Sequence, residues 1–249
     1  GTDEDGDGTG EPVTSFAAPR FDRPGSSVIK DPVDEFGSSD KPDSPAVNDS
    51  GDEFDGNIRP LNWQWPANPS VTWGYPSASA GFYRLNCIPK PDSMINLWNV
   101  PNLFLRKLPA EKFTATASVN CTLRSDGEET GMIVMGRDYQ YISLSRSDSI
   151  LRLRVVRCTD ADKGNPEVEI FSREIGISEL FFRLTVEAGA RCRFSYSTNG
   201  TEYFNAGEPF TARQGMWIGA KAGFFALRDG YTNDAGCIDL NWFRILIME

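Results

Sequence analysis

From Phe113 onward the chain alternates apolar and polar positions with a period of two. Phe113, Ala115, Ala117, Val119, Cys121 and Leu123 are separated by Thr114, Thr116, Ser118, Asn120, Thr122 and Arg124. This is the pattern of a strand with one face in a core and the other in water. Leu151, Leu153 and Val155 repeat it against Arg152, Arg154 and Arg157, as do Phe182, Leu184 and Val186, then Cys192, Phe194 and Tyr196. Ile218, Ala220, Ala222 and Phe224 continue it, and Ile238, Leu240 and Trp242 close the chain. Turn-forming clusters separate the runs: Ser125-Asp126-Gly127, Lys163-Gly164-Asn165-Pro166, Asn199-Gly200 and Arg228-Asp229-Gly230. Asn199-Gly200 carries the strongest signal and predicts a type I′ turn, whose two central residues need positive φ. No window offers an amphipathic helical stripe longer than two turns. About ten or more short antiparallel strands follow from this spacing, and two stacked sheets are the economical way to bury their apolar faces. The predicted fold is all-β, a two-sheet antiparallel jelly-roll sandwich.

The pattern fails in residues 1–50, which hold almost no bulky apolar side chains and are rich in Gly, Pro, Ser and Asp. Such a segment cannot bury enough surface to offset its ordering entropy, so it reads as an acidic linker, with the sandwich over residues 51–249. A length of 249 residues allows one sizeable sandwich with a tail, or two small domains at most.

The formal charge of -10 argues against a nucleic-acid partner, because phosphate neutralisation needs clustered Lys and Arg and the arginines here are scattered through strands. A neutral polysaccharide stays compatible. Much of the acidity falls in the linker, where it reads as a solvated charge run. The five cysteines, Cys87, Cys121, Cys158, Cys192 and Cys237, include no Cys-x-x-Cys pair, and histidine is absent. Zinc ligation is thereby disfavoured. The odd count leaves at least one thiol unpaired. Cys121, Cys192 and Cys237 lie in apolar strand patterns and read as small core residues; one disulfide is compatible with an exported protein, with no pair named. No run of about 18 apolar residues is present to span a membrane, and no signal peptide is visible.

Without histidine, nucleophile systems that need an imidazole base and the usual zinc-water hydrolases are excluded. What remains is a carboxylate pair of the glycosidase kind, for which Glu167-Val168-Glu169 comes nearest; two glutamates on a wet strand face are its simpler reading. Sugar binding by aromatic rings is a second candidate, since pyranose C–H faces stack on Trp or Tyr. Trp63, Trp217 and Trp242 read as core residues, and Trp63 and Trp65 share a strand face. Trp73, Tyr75 and Trp98 are balanced between core and sugar contact. The proline-bounded loop from Ile88 to Pro101 adds Asp92, Asn96 and Asn99 to the candidate carbohydrate-binding set, against the simpler reading of a surface connection. A third candidate is calcium. Asp3-Glu4-Asp5-Gly6-Asp7-Gly8 is like the first half of an EF-hand loop, but Thr14 stands where the bidentate Glu belongs, so a full EF-hand is refused.

Several ordered blocks carry a family likeness. Asp52-Glu53-Phe54-Asp55-Gly56, Trp63-Gln64-Trp65-Pro66-Ala67-Asn68-Pro69, Leu97-Trp98-Asn99-Val100-Pro101-Asn102-Leu103, Phe194-Ser195-Tyr196-Ser197, Gly207-Glu208-Pro209-Phe210, Trp217-Ile218-Gly219-Ala220-Lys221 and Asp239-Leu240-Asn241-Trp242-Phe243 resemble, in order, the C-terminal concanavalin A-like β-sandwich of family 43 glycoside hydrolases, the β-xylosidases and α-L-arabinofuranosidases. They cover nearly all of residues 52–246. Asp5-Gly6-Asp7-Gly8-Thr9-Gly10-Glu11-Pro12-Val13 resembles the last turn of that family's catalytic propeller.

The resemblance implies a chain that starts as the catalytic domain ends. The family's catalytic carboxylates belong to the propeller, so none is carried over. It implies an accessory module that packs on the propeller, serves an enzyme acting on xylan or arabinoxylan-type plant polysaccharide or oligosaccharide, and lends the loop from Ile88 to Pro101 to the substrate pocket. Two alternatives stand beside it: an autonomous carbohydrate-binding module, and a purely structural sandwich that touches no sugar. Sandwiches of this fold often bind calcium where the first and last strands meet, which makes Asp52, Glu53 and Asp239 the candidate ligands. Enzymes like this are commonly secreted, periplasmic or on the surface of bacteria.

Overall fold

A computed structural model describes residues 51–215 and 219–248. The linker with its Asp3–Gly8 run, and the predicted core positions Trp217 and Ile218, lie outside the described residues. The rest forms two sheets of seven strands each. The first runs, in spatial order, β1 (Gly74–Ser77), β2 (Phe82–Asn86), β14 (Cys237–Ile247), β5 (Phe113–Thr122), β10 (Glu179–Glu187), β11 (Arg191–Ser197) and β12 (Phe204–Thr211). The second runs β3 (Ile88–Pro89), β13 (Lys221–Arg228), β6 (Glu129–Met135), β7 (Tyr139–Ser147), β8 (Ile150–Cys158) and β9 (Val168–Glu174), with β4 (Phe104–Lys107) also pairing β13. Pairing is antiparallel throughout except between β3 and β13. The all-β two-sheet sandwich expected from the alternation is therefore borne out.

The first sheet shows why the alternation was readable. On β5 every odd residue from Phe113 to Cys121 is buried and every even one is half-exposed, because one face meets the second sheet and the other meets solvent. Leu180, Phe182, Leu184 and Val186 on β10, and Cys192, Phe194 and Tyr196 on β11, point into the same core.

The second sheet behaves differently, because both of its faces are covered. Met132, Val134, Ile142, Leu144, Leu153 and Val155 face the main core. Ile133, Tyr139, Tyr141, Val156, Phe225 and Leu227 face a second, smaller core closed by Leu97, Val100, Leu103 and Ala161. A strand buried on both sides loses its period-two signal, and β6 is buried from Glu129 through Val134.

Two expectations need correction. Trp242 is not a core residue: β14 pairs regularly with β5 up to Leu240 and resumes at Trp242 after a bulge. The extra residue switches the parity of inward positions, so Ile238 and Leu240 are buried before it and Phe243 and Ile245 after it. Trp242 is turned to the outer face, beside Phe181 with ring centres 6.0 Å apart. The second correction concerns the hairpin turn. Among the central pair Asn199-Gly200, only Gly200 has positive φ, at 77°; the Asn199 side chain instead accepts from the Thr201 and Glu202 backbone N–H groups and shapes a longer loop. The two-residue turn with both φ values positive joins β7 to β8 at Asp148 and Ser149, 53° and 64°.

At the centre of the sandwich Trp63 is fully buried. Its ring stacks on Phe104 at 4.8 Å and meets Phe243 edge-on at 5.3 Å. Trp65 packs on the same Phe104 ring, also at 4.8 Å, so the two tryptophans do share a face. All five cysteines are buried and unpaired, and burial pushes the Cys121 and Cys192 thiols up to about 12, which keeps them protonated and inert as nucleophiles.

Candidate functional site

The loop that leads from β3 to β4 is pinned along its length. Asn96 caps the 3-10 turn Leu97–Asn99 by accepting from the Trp98 N–H, and its Nδ2 donates to the carbonyls of Ala161 at 3.0 Å and Asn165 at 2.8 Å. The Leu97 N–H donates to Tyr139 Oη at 2.7 Å, and Tyr139 in turn donates to Glu167 Oε1 at 2.6 Å. Farther on, Asn102 donates to the Ala226 carbonyl. Leu97, Val100 and Leu103 fill the second core beneath. Buried amides with satisfied partners and an apolar underside give a rigid loop.

Sequence position alone grouped the carbohydrate candidates, and the fold divides them. Asp92 and Asn99 are exposed on this loop, and Trp98 is half-buried against the second core. Asn96 is buried and its side-chain amide is committed to the loop itself. Trp73 and Tyr75 belong to the edge of the other sheet, where Trp73 meets Trp65 edge-on at 5.5 Å and Tyr75 lies opposite Arg84. Beside the loop, Met94, Asn99 and Asp162 border a depression of about 90 Å³. Ligand pockets usually occupy about 300–1,000 Å³, so this one is too small to enclose a sugar unaided.

Glu167 and Glu169 do not form an acid pair. Both Glu167 oxygens accept from tyrosine hydroxyls, Tyr139 at 2.6 Å and Tyr141 at 3.3 Å. Burial raises its carboxyl above the usual range. Glu169 is exposed and ion-pairs with Arg154. The fully buried acids are engaged as well. Glu129 accepts from Ser143 and Arg154, and Glu128 accepts three backbone N–H groups, from Arg124, Ser125 and Gly236. Glu128 and Glu129 border a depression of about 230 Å³ with Lys90, Arg146, Arg154 and Asp229, but the oxygens of both are already committed to backbone N–H groups, Ser143 and Arg154, unlike a general acid or base held ready for substrate.

The three candidate calcium ligands do not converge. Asp239 holds Arg84 through two bonds of 2.6 and 2.7 Å, and Glu53 holds Arg244 through two of 2.7 and 2.9 Å. Asp52 exchanges backbone bonds with Phe243 and accepts from the Phe54 N–H. Among the described residues no three Cys, Asp or Glu side chains are grouped to hold a metal ion. A hard cation needs six or more oxygens around it, and arginine pairing takes two of these carboxylates out of reach. The residues present therefore do not fit calcium at this place. No sequence pattern marked the arginines opposite, since Arg84 and Asp239 are brought together only by the pairing of β2 with β14.

The family model for the β-xylosidase C-terminal concanavalin A-like domain matches residues 51–246. A β-xylosidase from Formosa agariphila is 26% identical over 261 aligned positions, covering 98% of this chain and 39% of that protein. The structure of the GH43 protein BlXynB from Bacillus licheniformis superposes with a TM-score of 0.65 at 19% identity, over 82% of this chain and 40% of that one. A xylan β-1,4-xylosidase from Bacillus halodurans gives 0.65 at 15% identity, over 86% and 41%. The structural likeness shows the shared fold, and the chain spans well under half the length of each relative. Among the described residues no helix is long and apolar enough to cross a membrane. By the match across its whole sandwich, the chain belongs to the family of C-terminal concanavalin A-like domains found in family 43 β-xylosidases.

Proposed function

We propose that this sandwich is the non-catalytic accessory domain of an exported family 43 glycosidase acting on xylan or arabinoxylan-type glycans, and that it packs on the catalytic propeller. The observation that carries the reading is the engagement, among the described residues, of Glu128, Glu129, Asp239 and the half-buried Glu167 with tyrosines, arginines, a serine or backbone N–H groups. A glycosidase needs one protonated and one ionised carboxyl on opposite sides of the bond it cuts, and the buried acids among the described residues are already engaged with other partners. The chemistry must then come from another domain.

Three exposed aliphatic side chains support a contact with that domain. Ile58, Leu61 and Val71 are 68%, 95% and 90% exposed on one irregular stretch before β1. Aliphatic side chains exposed this fully on neighbouring turns are a feature of interaction surfaces. Substituting Leu61→Ser together with Val71→Ser should change the stability of this chain alone by no more than about 0.5 kcal/mol per site. In the enzyme that carries its propeller the same pair should lower the melting temperature by several degrees, about 2–4 °C for each kcal/mol lost. Equal, small changes in both proteins would show that this surface does not meet the propeller.

A further inference from the structure

The outer face of the first sheet carries a cleft that the accessory role does not use. It is an open depression of about 500 Å³, lined by Thr114 and Thr116 of β5 along its base. Its two walls are built alike. On one, the Arg244 guanidinium lies over the Trp242 ring at 4.3 Å. On the other, the Arg183 guanidinium lies against the Tyr203 ring at 3.3 Å. Thr116 pairs with Arg244 on one side and with Arg183 on the other, so the two arginines rise two strands apart, about 10 Å.

The two guanidinium groups differ in how they are satisfied. Arg244 is held by both oxygens of Glu53. Arg183 donates its Nε–H to Thr116 Oγ1 at 3.1 Å, and among the described residues no carboxylate pairs with it. Its two η nitrogens stay available at the cleft wall. Stacking on Tyr203 fixes the plane of the group, so an incoming anion meets a preset pair of donors and little side-chain freedom is lost on binding.

We propose that this cleft binds an acidic saccharide, with its carboxylate on the η nitrogens of Arg183 and its ring over the Thr114 and Thr116 floor beside Trp242. A planar carboxylate matches two parallel guanidinium N–H groups. The threonine hydroxyls supply donors and acceptors for sugar hydroxyls, and Trp242 lines the same cleft, bringing an aromatic surface beside the pyranose. A nucleic acid is disfavoured, because a chain of charge -10 repels a polyanion and one unneutralised arginine cannot replace its counterions. The saccharide class rests on the proposed glycosidase context; the anion class rests on Arg183 alone.

The test is calorimetric titration of the chain with a xylo-oligosaccharide that carries one glucuronic acid branch, and with the same compound after reduction of its carboxyl to an alcohol. The acidic compound should bind at least about tenfold more tightly, the value of one charged hydrogen-bond pair, and its affinity should fall with added salt. Arg183→Ala should erase the difference between the two compounds, Arg183→Lys should restore part of it, and Trp242→Ala should weaken both. Equal affinity for the two compounds would overturn the anion assignment while leaving the accessory role intact. Absence of binding to either, by chain with unchanged melting behaviour, would overturn the cleft as a site. Neither failure bears on whether the domain is catalytic, so the two proposals fail separately.

Discussion

Trp63→Ala is expected to lower the unfolding free energy by about 3–5 kcal/mol, the range for emptying a large aromatic site in a core. The position explains the size. Trp63 touches both layers at once: Phe104 of β4 and Phe224 of β13 belong to the second sheet, with ring centres at 4.8 and 5.7 Å, and Phe243 of β14 belongs to the first, at 5.3 Å. Phe54 meets the same ring at 5.4 Å. Collapse of the site would require two sheets and an N-terminal segment to move together, and close-packed interiors resist that. Arg106 adds to the cost, because its guanidinium lies 5.5 Å from the Trp63 ring and 5.3 Å from that of Phe243. Trp63→Phe keeps a stacking ring and should lose about half as much. Denaturant titration of the three proteins checks the order. A loss below about 1 kcal/mol for the alanine variant would mean that this cluster does not join the layers.

The second large effect is expected at Glu128. Its Oε2 accepts the Arg124 and Ser125 N–H groups at 2.6 and 3.1 Å, and its Oε1 accepts the Gly236 N–H at 2.6 Å. One side chain thus ties the turn after β5 to the start of β14. Gly236 is fitted around it: a Cβ there would lie 2.3 Å from the Thr122 carbonyl and 2.4 Å from the Glu128 carboxylate. Glu128→Ala leaves three backbone donors without their acceptor, at about 1–3 kcal/mol each where water cannot replace it, so a loss of about 3–5 kcal/mol is expected. Glu128→Gln keeps an acceptor but turns an NH2 toward donors, and should fall between. Amide hydrogen exchange provides the local readout: Gly236 should lose protection in the alanine variant ahead of β5 and β10. Retained protection at Gly236 would assign the tie to other groups.

How much of this was legible in the sequence depended on which face of a strand met water. β5 and β10 announced themselves because solvent faces one side, and from them the sandwich class followed. β6 did not, since both its faces are covered and alternation disappears. Trp242 was misplaced for a local reason: a single bulge residue in β14 reverses which positions point inward, and nothing in Leu240-Asn241-Trp242 marks it. The turn signal at Asn199-Gly200 was real chemistry used differently, with the Asn side chain serving a six-residue connection while Asp148 and Ser149 took the tight hairpin.

The candidate site was less legible than the fold. Asp92 and Asn99 could be placed on an exposed loop, but the commitment of Asn96 to two distant carbonyls depends on the approach of residues 161 and 165, which spacing does not reveal. Spacing did not reveal that Asp239 meets Arg84 across the β2–β14 pair or that Glu53 meets Arg244. The same kind of tertiary event produced the cleft around Arg183: Tyr203 reaches it from the loop after β11, so the pair appears only once the sheet is assembled. A sequence signal did exist in the outward positions of β5, β10 and β14, where Thr116, Arg183 and Arg244 are polar residues sharing one register row.

The central proposal is that this sandwich, among its described residues, carries no acid-base machinery and depends on another domain for catalysis. Incubation of the purified chain with aryl β-D-xyloside and aryl α-L-arabinofuranoside, with released phenol followed over hours, tests it most directly. The account predicts no release above the uncatalysed rate across pH 4–8. Turnover that follows the chain through purification and disappears in the Glu167→Gln variant would contradict it, because it would make a catalyst of a carboxyl here assigned to bracing Tyr139 and Tyr141.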